Sequence, residues 1–235
     1  MNTHKIPHAR CLRSTFARII VSLFVIGLAT PTFAGKNILP SNSRPFGKTY
    51  AQWSAEWFQW ALAIPFTGHP LADETGANAA VGQTGHVWFL GGVFNSSGTV
   101  VRNITVQPGT AFFFPIVNAD CSNLEGAPWH GDTAAELTTC VEGQIDLTSG
   151  IMLEVDGKPV TNLEQYRVTS PLFEFTVPAD NVLGVAGPAS GIAVSNGYYI
   201  MLAPLSKGEH TLHFGGTFDA FGSTLNITYH ITVQP

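Results

Sequence analysis

The sixteen residues TYAQWSAEWFQWALAI, 49–64, stand directly before Pro65 and decide how the rest of the chain is read. Thr49 and Gln52 form a capping box, and Pro65 supplies the stop, so the spacing predicts a helix of about four turns. At about 100° per residue, Tyr50, Trp53, Trp57, Trp60 and Ile64 share one face, and Phe58 and Leu62 widen it. Only Gln52, Glu56 and Gln59 make a narrow polar strip. A helix with three of the chain's five tryptophans on one side needs a large apolar partner, and the patterning of the C-terminal two thirds of the chain makes that partner a β-structure.

From His86 onward the pattern changes to strands. Val87 to Phe94 and Thr99 to Val106 flank Asn95-Ser-Ser-Gly98 and read as a hairpin. Pro108-Gly109 turns the chain into the apolar run Ala111 to Val117. Asp156-Gly157 marks a second hairpin, between Ile151 to Val155 and Lys158 to Thr161. Leu172 to Val177 alternates, as does Leu225 to Val233, and Tyr198 to Leu202 and His210 to Phe214 complete the count. Thr133 and Glu136 form a second capping box before Leu137, Val141 and Ile145, a short helix inserted between strands. The expected fold is mainly β: a β-sandwich or jelly-roll-like single domain over 49–235, comprising helix 49–64, a long loop 66–85 and a sandwich from 86 to the end.

Ahead of that domain, residues 1–34 read as a secretory signal. Lys5, Arg10, Arg13 and Arg18 precede the apolar run Ile19 to Thr30, and Thr32-Phe33-Ala34 offers small residues for cleavage after Ala34. A run of that length is too short to span a bilayer. Residues 35–48 read as an extended arm. The leader carries no acidic residue, so the domain after it is more acidic than the net −5 of the whole chain. That balance disfavours nucleic acid or an anionic membrane surface as a partner. Beyond the leader only Cys121 and Cys140 remain of the three cysteines. In an exported chain such a pair reads as a disulfide, tying the second helix to the loop after the Ala111 strand.

Chemistry concentrates in NADCSNLEGAPWHGD, 118–132. Asp120, Glu125, Trp129, His130 and Asp132 lie within it, between the cysteine and a helix cap. Trp129 suits stacking on a sugar ring and the carboxylates suit its hydroxyls. The oxygens of Asn118, Asp120 and Asp132 suit calcium, the one cofactor the sequence offers. The Gly-rich loop 66–85 adds Asp73 and Glu74, and is expected to lie beside the first loop, with Trp129, Asp120 and Asp73 lining one cleft. Glu56 at the edge of the aromatic helix face is a further candidate, as an acid partnered by Asp73 or Asp120. His210 and His213, three apart on a strand, project from opposite faces and cannot share an ion, so a transition-metal site would need His69, His86 or His130 from loops. No nucleophile elbow and no phosphate-binding glycine loop is present.

The segment from Tyr50 to Leu90, with Trp53, Trp57, Gln59-Trp60, Pro65, Asp73-Glu-Thr-Gly76, Gln83 and Val87-Trp-Phe-Leu90, resembles a group of hypothetical secreted bacterial proteins. Phe113-Phe-Pro-Ile-Val-Asn118 and Ala203-Pro-Leu-Ser-Lys-Gly-Glu-His210 fit the same group. The resemblance implies export from a bacterium and carries no catalytic residue.

The expected function is an exported, non-catalytic ligand-binding module, with an extracellular glycan as the first expected ligand and a small molecule as the other. The alternative is a secreted polysaccharide hydrolase or lyase using the loop carboxylates, and a metal-binding protein is the third reading. Ligand binding and catalysis part on whether a glycan is held intact or shortened.

Overall fold

In the computed structural model, the residues described are 1, 3, 37–94 and 98–234. The expected signal sequence, 1–34, lies outside the described residues apart from its first and third residues. Residues 32–235 form one compact unit.

The aromatic helix, α1, runs Tyr50–Ala63 with the Thr49–Gln52 capping box in place. It packs on one face of the first of two sheets, and the second sheet packs on the other face. The first contains β1 (Val87–Phe89), β3 (Ala111–Ser122), β8 (Ala189–Leu202) and β6 (Arg167–Thr169) in that order, with β7 (Phe173–Val177) also on β8. The second orders β2 (Gly98–Val106), β10 (Ser223–Val233), β9 (Gly208–Phe218), β4 (Thr148–Val155) and β5 (Lys158–Pro159). The second helix, α2, spans Ala134–Ile145 behind the Thr133–Glu136 capping box.

The layers are set by the side chains of β3. Phe114 meets Phe214 of β9 at 5.1 Å between ring centroids, which packs one sheet on the other. Phe113, one residue earlier and so on the opposite face, meets Tyr50 at 5.9 Å and Trp53 at 6.1 Å. Strand β3 is thus covered on both faces, which is why it reads as a continuous apolar run rather than an alternating one. A bulge between Pro115 and Val117 shifts the alternation. Beyond it, Cys121 and Val194 turn away from α1 and pack with Leu137, Val141 and Ile145 of α2. The Cys121–Cys140 disulfide closes this second, smaller cluster.

The three tryptophans of α1 each pin a different segment by an indole N–H to a main-chain carbonyl: Trp53 to Pro45 at 2.9 Å, Trp57 to Leu90 at 2.7 Å, and Trp60 to Val81 at 3.3 Å. The arm is held further where Ile38 bridges Leu202 and Leu39 N–H reaches the Met201 carbonyl. The helix therefore fixes the arm, the exit of β1 and the long loop at once.

The expected hairpin around residues 95–98 does not form. Strand β1 pairs in parallel with β3 in one sheet, and β2 pairs in parallel with β10 in the other. The strands on either side of that turn-like sequence thus belong to different sheets, and residues 95–97 themselves lie outside the described residues. Local composition marks a change of direction but not the partner. The Asp156-Gly157 turn does close a hairpin, β4 to β5, with both residues at positive φ, 52° and 68°. Phe173, Phe175 and Val177 point inward and Glu174 and Thr176 outward, as their alternation predicts.

Candidate functional site

Strand β3 is paired with β8 along one edge from Phe112 to Ser122, but among the described residues β1 covers its other edge only at Ala111–Phe113. Beyond Leu90 the chain is drawn across to the second sheet. The Gly91 carbonyl accepts from Arg102 Nη1 and from the Tyr229 hydroxyl, both at 2.8 Å. Strand β1 therefore ends early, and a cavity of about 590 Å³ lies beside the uncovered part of β3.

Its walls come from every layer. Trp57, Phe58, Ala61 and Leu62 of α1 form one side. Phe218, Ser223 and Leu225, from β9 and β10, form another. Leu71, Phe94, Val182 and Leu183 contribute from loops. Most lining side chains are apolar; the polar ones are Ser223 and, beside Trp129 and Phe221, Asn118, Asp120 and Glu125.

That corner is held from several directions. Ser122 Oγ donates to Glu125 Oε2 at 2.8 Å, and Ser122 N–H donates to the Trp129 carbonyl at 3.0 Å. Trp129, half-buried, stacks on exposed Phe221 at 5.5 Å. Asn118 Nδ2 donates to the Tyr199 hydroxyl at 3.4 Å. Asp120 Oδ2 is buried with no hydrogen-bond partner, the one side-chain atom of this kind among the described residues. Burial, and then the neighbouring Glu125 carboxyl, push the Asp120 carboxyl well above the usual carboxylate range. Burial also pushes Glu125 up to about 7, against the partial relief of the Ser122 hydrogen bond. Two acids that repel each other in an apolar pocket hold a proton near neutral pH, and a cationic or hydrogen-bond-donating group placed between them would relieve both.

The other sequence candidates sit elsewhere. The sequence expectation joined Asp73 to Trp129 and Asp120, but Asp73 does not line the cavity, although Leu71 from the same loop does. Its carboxylate is occupied as a turn former, accepting from Thr75 N–H, Thr75 Oγ1 and Asn78 N–H at 2.6–2.8 Å. Those bonds hold it below its ordinary range even though partial burial pushes the other way. Glu74 is exposed and lies outside the lining. Glu56 is paired with Lys48, whose ammonium lies 4.6 Å over the Trp53 ring, so it meets neither Asp73 nor Asp120. His130 and Asp132 face each other at 3.5 Å outside the cavity. The calcium trio is split accordingly, with Asn118 and Asp120 inside and Asp132 out.

Among the described residues no group of three His, Cys, Asp or Glu is placed to hold a metal. His69, a loop candidate for such a site, is fully buried as a structural clip. Leu71 N–H donates to its Nδ1 at 3.0 Å, so Nε2 carries the proton and donates to the Ala61 carbonyl at 2.9 Å.

Sequence reasoning missed Phe94, Leu183, Phe218, Phe221 and Leu225 as wall residues. Nothing local to those residues signals a cavity. They look like ordinary core and turn positions, and the fold alone gathers them.

No family model and no curated protein matches the chain. Two solved structures show weak likeness. A chain of the structure of PbICP-C in complex with falcipain-2 is 11% identical over 64% of this chain and all of that one, with a TM-score of 0.25. The solution structure of amebosin is 12% identical over 64% of this chain and all of that one, with a TM-score of 0.20.

Proposed function

We propose that this chain is an exported ligand-binding protein whose cavity takes a small ligand with an apolar body and one cationic or hydrogen-bond-donating group. The observation that carries the reading is the buried, unpartnered Asp120 Oδ2 at the polar corner of a mostly apolar cavity. Binding sites commonly combine apolar walls with a few convergent polar groups. A buried acceptor without a partner costs about 1–3 kcal/mol, which a ligand donor would recover. The Cys121–Cys140 disulfide supports export, because such bonds persist in oxidising compartments.

A glycan is the second reading. It rests on the Trp129–Phe221 stack, an aromatic platform beside the two acids. The largely apolar lining favours the first, since sugar hydroxyls need many polar partners. Thermal-shift titration with hexylamine and with soluble oligosaccharides, run alongside a product assay, tests both. A rise in melting temperature with the amine that disappears in Asp120→Asn supports the first. A rise with intact oligosaccharide alone supports the second, and a shortened oligosaccharide would make the protein a hydrolase or lyase.

A further inference from the structure

We infer that the ligand of this cavity is an extended peptide that adds to the open edge of β3 as a strand, with a lysine side chain reaching Asp120 and Glu125. The inference rests on the cavity being a binding site and adds the identity of its occupant.

The main chain of β3 is the reason. Between Val117 and Ser122 the pairing with β8 is regular, Val117 opposite Tyr198 through Ser122 opposite Ala193. In an antiparallel pair, alternate residues direct their N–H and C=O to opposite edges. Ser122 uses both groups on the edge away from β8: its N–H donates to the Trp129 carbonyl at 3.0 Å, and its carbonyl accepts from Gly131 N–H at 3.4 Å. Asp120 and Asn118, two and four residues earlier, therefore direct theirs to the same edge, into the cavity. Among the described residues none pairs with the Asn118 and Asp120 main chain on that edge, and an edge with unmet donors and acceptors is a template for another strand.

The gap has ends as well as an edge. Strand β1 stops it at Phe113, where Leu90 N–H meets the Phe113 carbonyl, and the Ser122–His130 bridge stops it at the other end. The residues between these ends, 114–121, at about 3.3 Å each make roughly 26 Å, room for a strand of about six or seven residues. A sugar or a compact amine would leave the amide and carbonyl groups of Asn118 and Asp120 unused, whereas a strand uses them all. The side-chain environment agrees: such a strand would place alternate residues against Phe58 and Leu62 on one face and Phe218 and Leu225 on the other. The one polar corner carries two acids, so the complementary side chain is basic.

The test uses the full domain and an acetylated, amidated seven-residue peptide of valine and threonine with a central lysine, with binding measured by calorimetry. The peptide is expected to bind at least about tenfold more tightly than hexylamine, and to lose about tenfold when norleucine replaces lysine or when Asp120→Asn is the protein. N-methylating alternate amides discriminates further. One set, facing β3, should lose about tenfold per amide, and the other should bind as before. Hexylamine matching the peptide, with N-methylation indifferent, would overturn strand addition and leave the cavity reading standing. Equal binding of the norleucine peptide would overturn the lysine assignment. Binding of neither peptide nor amine would overturn both readings.

Discussion

Trp57 Nε1 donates to the Leu90 carbonyl at 2.7 Å, joining the middle of α1 to the point where β1 leaves β3. The same ring lines the cavity, so one side chain serves as core, as anchor for the strand end, and as wall. Replacing Trp57 by Ala should cost about 3–5 kcal/mol, read as a fall in the denaturant midpoint with little change in slope. Trp57→Phe keeps most of the packing but leaves the Leu90 carbonyl unmet, and should cost about 1–2 kcal/mol. An unchanged midpoint in the alanine variant would mean this face is not core.

Glu125 sets a pH dependence with a definite sign. Its carboxyl is raised from an ordinary 4.5 to about 7 in the folded chain, so the folded state holds a proton that the unfolded state releases. Its contribution to stability is present below about 4.5 and is lost as the pH rises to about 7. The raised Asp120 acts in the same direction. Melting temperature should fall across that window, and Glu125→Gln should flatten the fall. Asp73, held low, acts oppositely and only in stronger acid, near and below 3.8.

Arg102, 1% exposed, is bound to the Asp73 and Gly91 carbonyls and the Tyr229 hydroxyl at 2.7–2.8 Å. Its guanidinium thereby ties the long loop and the end of β1 to the second sheet. Arg102→Met, similar in length but without donors, should lose about 2–4 kcal/mol in chemical denaturation. It should also make the amides of residues 71–78 and 90–92 exchange faster with solvent, while those of α2 stay as protected as before.

The Cys121–Cys140 bond spans nineteen residues. On the loop-entropy relation, replacing both cysteines by serine should cost roughly 3 kcal/mol. The loss should appear first in α2 and in the loop carrying Glu125 and Trp129, seen as earlier proteolysis between residues 122 and 133. Free thiols in the oxidised protein, found by alkylation, would refute the bond.

Sequence alone determined the elements whose cause is local. Both helices carry a capping box and a periodic apolar face, the 156–157 turn has the residues that tolerate positive φ, and alternation in β7 and β10 gives the inward side of each strand. The disulfide follows from Cys121 and Cys140 being the cysteines left once residues 1–34 are read as a leader. What tertiary structure decided was which edges meet. The 95–98 stretch looks like a hairpin because turn residues mark a reversal whatever sheet the next strand joins. The short span of β1 depends on Arg102 and on Tyr229, the latter 138 residues away in sequence, drawing Gly91 off β3. The 118–132 loop was legible as a polar cluster, yet only folding divides it, placing the half-buried Asp120 and Glu125 at the cavity beside β3 while leaving Asp132 in solvent. Asp73 looked equivalent to them in sequence, and its carboxylate is consumed by amides two and five residues away. Helix faces and turns are set by neighbours a few residues apart, whereas a cavity is set by where distant strands stop.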